Sequence, residues 1–197
     1  MSLHLKGAAR PAEAVVGLGN PGERYSHTPH NVGHRVLNVL ARSLGGEWIR
    51  EDEAMVARVE RRDQILYLIK PLTYVNTTGP VLSQLGHKLG FGPAECVLVH
   101  DDVDLPLGAV RVRMRGSDGG HRGVRSILEA FRTDAIRRVR IGAGRAEQKD
   151  QLVGYVLTTF SPTELALIDR ACAVAGNQVL GLLGEPAALE QNGYGRS

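Results

Sequence analysis

Residues that could do chemistry fall at three places where apolar runs break off and at the end of one glycine loop. Asn20 and His30 follow Ala14-Val15-Val16, and Tyr74 and Asn76 follow the run from Gln64 to Ile69. His100, Asp101 and Asp102 follow Cys96 to Val99, and His121 and Arg122 follow the loop Gly116-Ser117-Asp118-Gly119-Gly120. Polar groups straight after buried strands cost stability unless they are paired or used. A histidine beside a carboxylate can take a proton near neutral pH while the carboxylate fixes its tautomer. His30 with Asp101 is the pairing expected here. Asn20 and Asn76 could orient a carbonyl or stabilise an oxyanion. No serine or cysteine sits in a nucleophile-elbow pattern, so activated water is the expected attacking group. Metal chemistry competes for the same residues, since His30, His100, Asp101, Asp102, Asp104 and His121 are all possible ligands. No H-E-x-x-H or similar pair is present, and no metal is expected.

A second set of residues suits a polyanion. Residues 111 to 145 hold ten arginines against three acids, a segment of +7 in a chain of net charge +3, which leaves the remainder at −4. Clustered arginine in an otherwise acidic chain points to a polyanionic partner. Arg111, Arg113 and Arg115 alternate with Val110, Val112 and Met114. On a strand that puts three cations on one face at a spacing of about 7 Å. The adjoining glycine loop offers backbone N–H groups at a helix start. Tyr25 and Tyr74 supply ring faces for a nucleobase.

These residues need a frame that brings strand ends to one rim, as open α/β sheets do. The stretch from Ala14 to Asn31 sets it: an apolar strand, then Gly17-Leu18-Gly19-Asn20-Pro21-Gly22, then Tyr25, His30 and Asn31. Its Gly-x-Gly-x-x-Gly spacing matches a dinucleotide fingerprint, but Pro21 intervenes, Glu23 to Pro29 is turn-rich, and no acid follows in 36 to 42. Helical spacing predicts helices after Asn31, from Pro80 to Leu89, after Arg122, and after Ser161-Pro162-Thr163-Glu164, a capping box with proline at N1. Strands are expected over Ala54 to Val59, Gln64 to Ile69, Cys96 to Val99, Val110 to Arg115 and Arg137 to Ile141. The alternation predicts an α/β fold, a single domain with a twisted mixed sheet flanked by helices.

At 197 residues the chain can bury a core without disulfide staples. No membrane span and no secretory signal are expected. Cys96 and Cys172 sit among apolar neighbours and read as buried, reduced thiols of a cytoplasmic protein. Residues 1–13 are expected to form a flexible arm, 14–184 the domain, and 185–197 a flexible tail, with a mobile loop at 145–150.

Six ordered segments carry a resemblance. They are Gly17 to Gly22, Thr28-Pro29-His30-Asn31-Val32-Gly33, Lys70 to Asn76, His100 to Gly108, Gly116 to Gly123 and Arg140-Ile141-Gly142. Together they resemble the bacterial-type peptidyl-tRNA hydrolase family over nearly the whole chain. The resemblance implies hydrolysis of the ester joining a peptide to the 3′ ribose of tRNA, by a cytoplasmic monomer with no metal or organic cofactor. It implies His30 as the base that activates water, Asp101 as the group that orients it, and Asn20 as the reader of the peptide's blocked amino end. Tyr25, Tyr74, Asn76 and Arg122 would line the channel for tRNA end and peptide, with His121, Asn31, Arg113 and Arg140 as further substrate contacts. Pro29, Val75 and Arg122 depart from the residues common in the family, which are arginine, methionine and asparagine. Some relatives bind RNA without needing hydrolysis, so a non-catalytic RNA-binding member of the fold is the alternative.

Overall fold

Seven strands make one mixed sheet in the order β2-β3-β4-β1-β5-β7-β6. They are β1 (Glu13–Gly17), β2 (Trp48–Glu51), β3 (Ala54–Arg61), β4 (Gln64–Pro71), β5 (Cys96–Asp102), β6 (Val110–Arg113) and β7 (Arg137–Gly142). The helices are α1 (Val32–Leu44), α2 (Thr78–Leu89), α3 (Arg122–Phe131), α4 (Leu152–Tyr155) and α5 (Pro162–Leu182). The computed structural model describes residues 11–61, 64–144, 152–187 and 189. Residues 62–63, between the strands expected over Ala54 to Val59 and Gln64 to Ile69, and the loop expected at 145–150 lie outside them.

The four middle strands, β4, β1, β5 and β7, run parallel, and antiparallel strands close both edges. Strand alternation splits β1 between two cores. Val15 packs with α1 and α5 on one face, and Ala14 and Val16 pack with α2 and α3 on the other. The chain leaves β1 toward β4 and later crosses back to β5 on the opposite side of β1. That reversal opens a crevice at the carboxyl ends of β1, β4 and β5, where open sheets place ligands.

Gly33 seats α1 over this crevice. A Cβ there would lie 2.5 Å from Leu18 N, Leu18 O and Val99 O, so only glycine allows the first turn of α1 so near β1 and β5. The Ser161–Glu164 capping box forms as expected and starts α5. By length and composition α5 could cross a membrane, but Ile168, Cys172, Ala175 and Val179 are packed into the core beside α1.

Several expectations need correction. β5 continues through His100 and Asp101, which pair with Arg140 and Ile141 of β7, because a parallel ladder runs on regardless of side-chain polarity. β6 stops at Arg113, and as an edge strand it leaves Val112 exposed, with Met114 exposed just beyond its end. β2 is a strand that the periodicity did not announce. At the end of the expected amino-terminal arm, Glu13 opens β1, and Ala12 is buried with its N–H donating to Gly90 O. In the carboxyl tail, Glu185 pairs with Arg61, and the Leu189 backbone exchanges two hydrogen bonds with the Asn177 side chain. Both cysteines are free and buried, and burial pushes each thiol up to about 12.

Candidate active site

A cavity of about 330 Å³ opens at the carboxyl ends of the parallel strands. Asn20, His30, Tyr74, Asn76, Asp101, His121 and Arg122 all line it, so the central sequence expectation is met in space. His30 lies in a 3-10 turn, Pro29–Asn31, that delivers the chain into α1. Pro29 at the first position of that turn is buried, and its fixed φ suits the turn. The His30 N–H donates to Val156 O. Asp101 reaches the cavity from β5, and His121 from the N-cap of α3.

One carboxylate oxygen joins the two histidines. His30 Nδ1 lies 2.8 Å from Asp101 Oδ1, and His121 Nε2 lies 2.9 Å from the same atom. His121 Nδ1 accepts the backbone N–H groups of Gly123 and Val124 at 3.1 and 3.3 Å. A neutral imidazole carries one proton. That of His121 must therefore sit on Nε2, donated to Asp101. His30 presents the opposite face: its Nδ1–H donates to Asp101, and Nε2 is the ring nitrogen left for the cavity. With 15% of its side chain exposed, His30 is open enough to meet a water and sheltered enough to act on it.

The charges follow from burial and pairing. Burial alone would lower the pKa of His30, but the charge of Asp101 and its hydrogen bond outweigh burial and hold it above 6.5. Burial alone would raise Asp101, yet the two rings, His30 first, hold it well below the usual carboxylate range. His100 is buried too, its Nδ1–H donating to Asp101 O at 2.7 Å. Burial, then the neighbouring His121, brings it down to about 3, so it stays neutral. His34, beside Gly19, is brought to about 3 by burial and by the charge of Lys70.

Those two neutral histidines give a stability prediction. Their folded pKa values lie below the unfolded 6.5, so the unfolded chain binds protons that the native one refuses as pH falls through 6.5 toward 3. Stability should therefore be intact above pH 7.5 and fall by about 1.4 kcal/mol per histidine by pH 5.5. His30 contributes oppositely: its stabilisation is full below 6.5 and is lost as pH rises through its raised folded value. Urea midpoints across pH measure the balance, and His34→Phe should halve the acid slope between pH 6.5 and 4.5.

His30, Asp101 and His121 also offer three atoms within 4.8 Å of one another, the one metal-like cluster among the described residues. The tautomers argue against its use. His121 Nδ1 already accepts two backbone N–H groups, so Nε2 holds a proton rather than a lone pair.

Asn20 is buried and doubly fixed. Its backbone N–H and C=O bond the Asn31 carboxamide at 2.9 Å each, and its Oδ1 accepts the Val75 N–H at 3.1 Å. With that oxygen committed, the Asn20 NH₂ is the group left for a ligand. The buried Val75 thereby ties the β4 connection, with Tyr74 and Asn76, to the loop after β1.

Four residues expected to touch substrate do not line this cavity. Asn31 is buried, and its side chain is spent on the Asn20 backbone, so it shapes the loop instead. Arg140 pairs with Asp102 at 2.8 Å. Arg113 folds back to donate to Arg115 O at 3.0 Å. Tyr25 lies under the Arg24 guanidinium, whose Cζ is 4.6 Å from the tyrosine ring centroid. Conversely, Val103, Val156 and Leu157 form apolar wall that the sequence reading missed. The last two lie far along the chain in no motif.

Arg138 was missed too. It is 1% exposed on β7 and donates to Ser117 O at 2.6 Å, to Gly116 O and to Asp134 O at 3.4 Å. A buried guanidinium thus holds the glycine loop that leads to His121 and Arg122. Arg138→Met leaves those carbonyls unpaired and should cost roughly 1–3 kcal/mol in urea unfolding.

Known proteins match this arrangement over nearly the whole chain. The family model described as peptidyl-tRNA hydrolase matches residues 14–193. The chain belongs to the peptidyl-tRNA hydrolase family. It is 40% identical over 171 residues to the peptidyl-tRNA hydrolase of Sulfurihydrogenibium sp., covering 87% of this chain and 90% of that one. To that of Aquifex aeolicus it is 42% identical over 159 residues, covering 79% and 82%. The crystal structure of peptidyl-tRNA hydrolase from Acinetobacter baumannii superposes with a TM-score of 0.77 at 26% identity, covering 92% of this chain and 97% of that one. The mixed sheet and its helices are therefore those of solved peptidyl-tRNA hydrolase structures.

Proposed function

We propose that this hydrolase family member cleaves the ester between a peptide and the 3′ ribose of tRNA by general-base attack of water. The observation that carries the reading is the His30 Nδ1–Asp101 contact, which leaves His30 Nε2 facing the cavity. Nε2 takes a proton from water as the water oxygen attacks the ester carbonyl. Asp101 stabilises the imidazolium that forms, while His121 donates to the same carboxylate oxygen and keeps it in place. The carbon–oxygen bond to the ribose then breaks, and the departing 3′ oxygen recovers the proton from His30. This sequence needs no organic cofactor or metal.

Asn20 presents its NH₂ to the peptide's blocked amino end, and Asn76 orients the carbonyl. Tyr74, 54% exposed at the rim, offers a face for a base. Val103, Val156 and Leu157 receive apolar parts of the peptide. The exposed Arg111 and Arg115 follow the tRNA backbone beyond the cavity, and Tyr25 and Arg113 are further contacts outside it. Residues 14–184 are the working domain. Two buried free thiols suit a reducing compartment, and the reading places a monomer in the cytoplasm.

Release of acetylated amino acid from acetyl-aminoacyl-tRNA tests the proposal, with aminoacyl-tRNA bearing a free amine as control. Purified protein should cleave the first and leave the second nearly untouched. Tight tRNA binding without ester cleavage would instead identify a non-catalytic RNA-binding member of the fold.

A further inference from the structure

Arg122 stands apart from the other arginines around the cavity. Arg140 is paired with Asp102, Arg125 with Asp118, and Arg138 is buried beneath backbone carbonyls. Arg122 is exposed, lines the cavity and makes no hydrogen bond or ion pair among the described residues. The carboxylates of the cavity are already matched: Asp101 by two histidines, Asp102 by Arg140, Asp118 by Arg125. Arg122 is therefore a cation in the site with no anion of its own among those residues. Its planar fork of N–H donors fits a phosphate well.

The end of a peptidyl-tRNA offers two kinds of anion near the ester. One is the oxyanion that develops at the scissile carbonyl, and the other is the internucleotide phosphate. A donor serving an oxyanion works when it is fixed and shut away from water. Arg122 is neither, and this suits a phosphate on the solvent side. It follows His121 directly, and His121 shares an Asp101 oxygen with His30, so the anion it meets is the one nearest the ester. We infer that Arg122 binds the phosphate linking the last two nucleotides of the tRNA, an inference that rests on the proposed function. The contact adds affinity for the nucleic acid and does not speed the chemical step.

Arg122→Gln removes the charge from a side chain without partners among the described residues, so folding is not at stake. On acetyl-methionyl-tRNA it should raise KM about tenfold and leave kcat within twofold, with the slope of log KM against log salt reduced by about 0.7. An acetyl-methionyl ester of the dinucleotide CpA, which keeps that phosphate, should show the same rise. The ester of adenosine alone, which lacks it, should show none. Equal loss on the adenosine ester would overturn the inference and move Arg122 to the carbonyl. No loss on any ester would overturn it as well. Titrating CpA without the acyl group against adenosine reads the same contrast in affinity. A protein that bound CpA through Arg122 yet cleaved nothing would sink the hydrolase reading and leave this contact standing.

Discussion

His30→Ala should lower kcat for acetyl-aminoacyl-tRNA by about 10³–10⁴-fold and leave the dissociation constant for tRNA within about threefold. That loss of rate is the upper part of the roughly 10²–10⁴-fold a positioned general base supplies. Affinity is spared because the proposed tRNA contacts lie on Tyr74, Arg122 and the β6 arginines, while His30 spends its Nδ1 on Asp101. The two quantities separate catalysis from scaffold. Single-turnover cleavage and a binding titration on one preparation measure both. Loss of affinity equal to the loss of rate would make His30 part of the binding surface or of the fold.

Asp101→Asn should have the next largest effect, and its signature is a displaced pH profile. The carboxamide oxygen can still accept from both His30 Nδ1 and His121 Nε2, so the variant removes charge more than geometry. In the wild-type protein the base must be neutral, so kcat/KM falls as pH drops through a value above 6.5, where Asp101 holds His30. Without that charge, burial prevails and the limb moves below 6.5. The plateau should drop by about 10²–10³-fold, because the imidazolium formed during attack loses its counter-charge. A plateau loss with the limb unmoved would mean that Asp101 orients His30 without tuning it. Urea midpoints for the variant separate either result from unfolding.

The principal pairing was legible in the sequence because strand ends are legible. An apolar run that breaks into Gly and Pro, or into His-Asp-Asp, shows where a sheet stops and polar groups collect. The alternation of strands and helices then brings those ends to one rim, so His30 and Asp101 could be paired across 71 residues. The failures share a cause: a residue type shows what a side chain offers but not which partner takes it. Asn31 reads as a ligand contact, yet the Asn20 backbone takes its whole carboxamide. Arg138 reads as one more surface charge, yet it is buried beneath carbonyls about 20 residues upstream, where no spacing rule reaches. Arg140 belongs to Asp102 for the same reason. Periodicity also overstated β6, because alternation reports two faces without saying that an edge strand leaves one of them bare.

The role of His30 rests on two rings that present opposite nitrogens to one oxygen. The most direct test is the nitrogen-15 spectrum of the histidine side chains, recorded above the His30 pKa with His30→Ala and His121→Ala as assignment controls. His30 should show a protonated Nδ1 and a bare Nε2, and His121 a protonated Nε2 and a bare Nδ1. A His30 ring with its proton on Nε2 would have no lone pair to offer water, and the proposed mechanism would be contradicted.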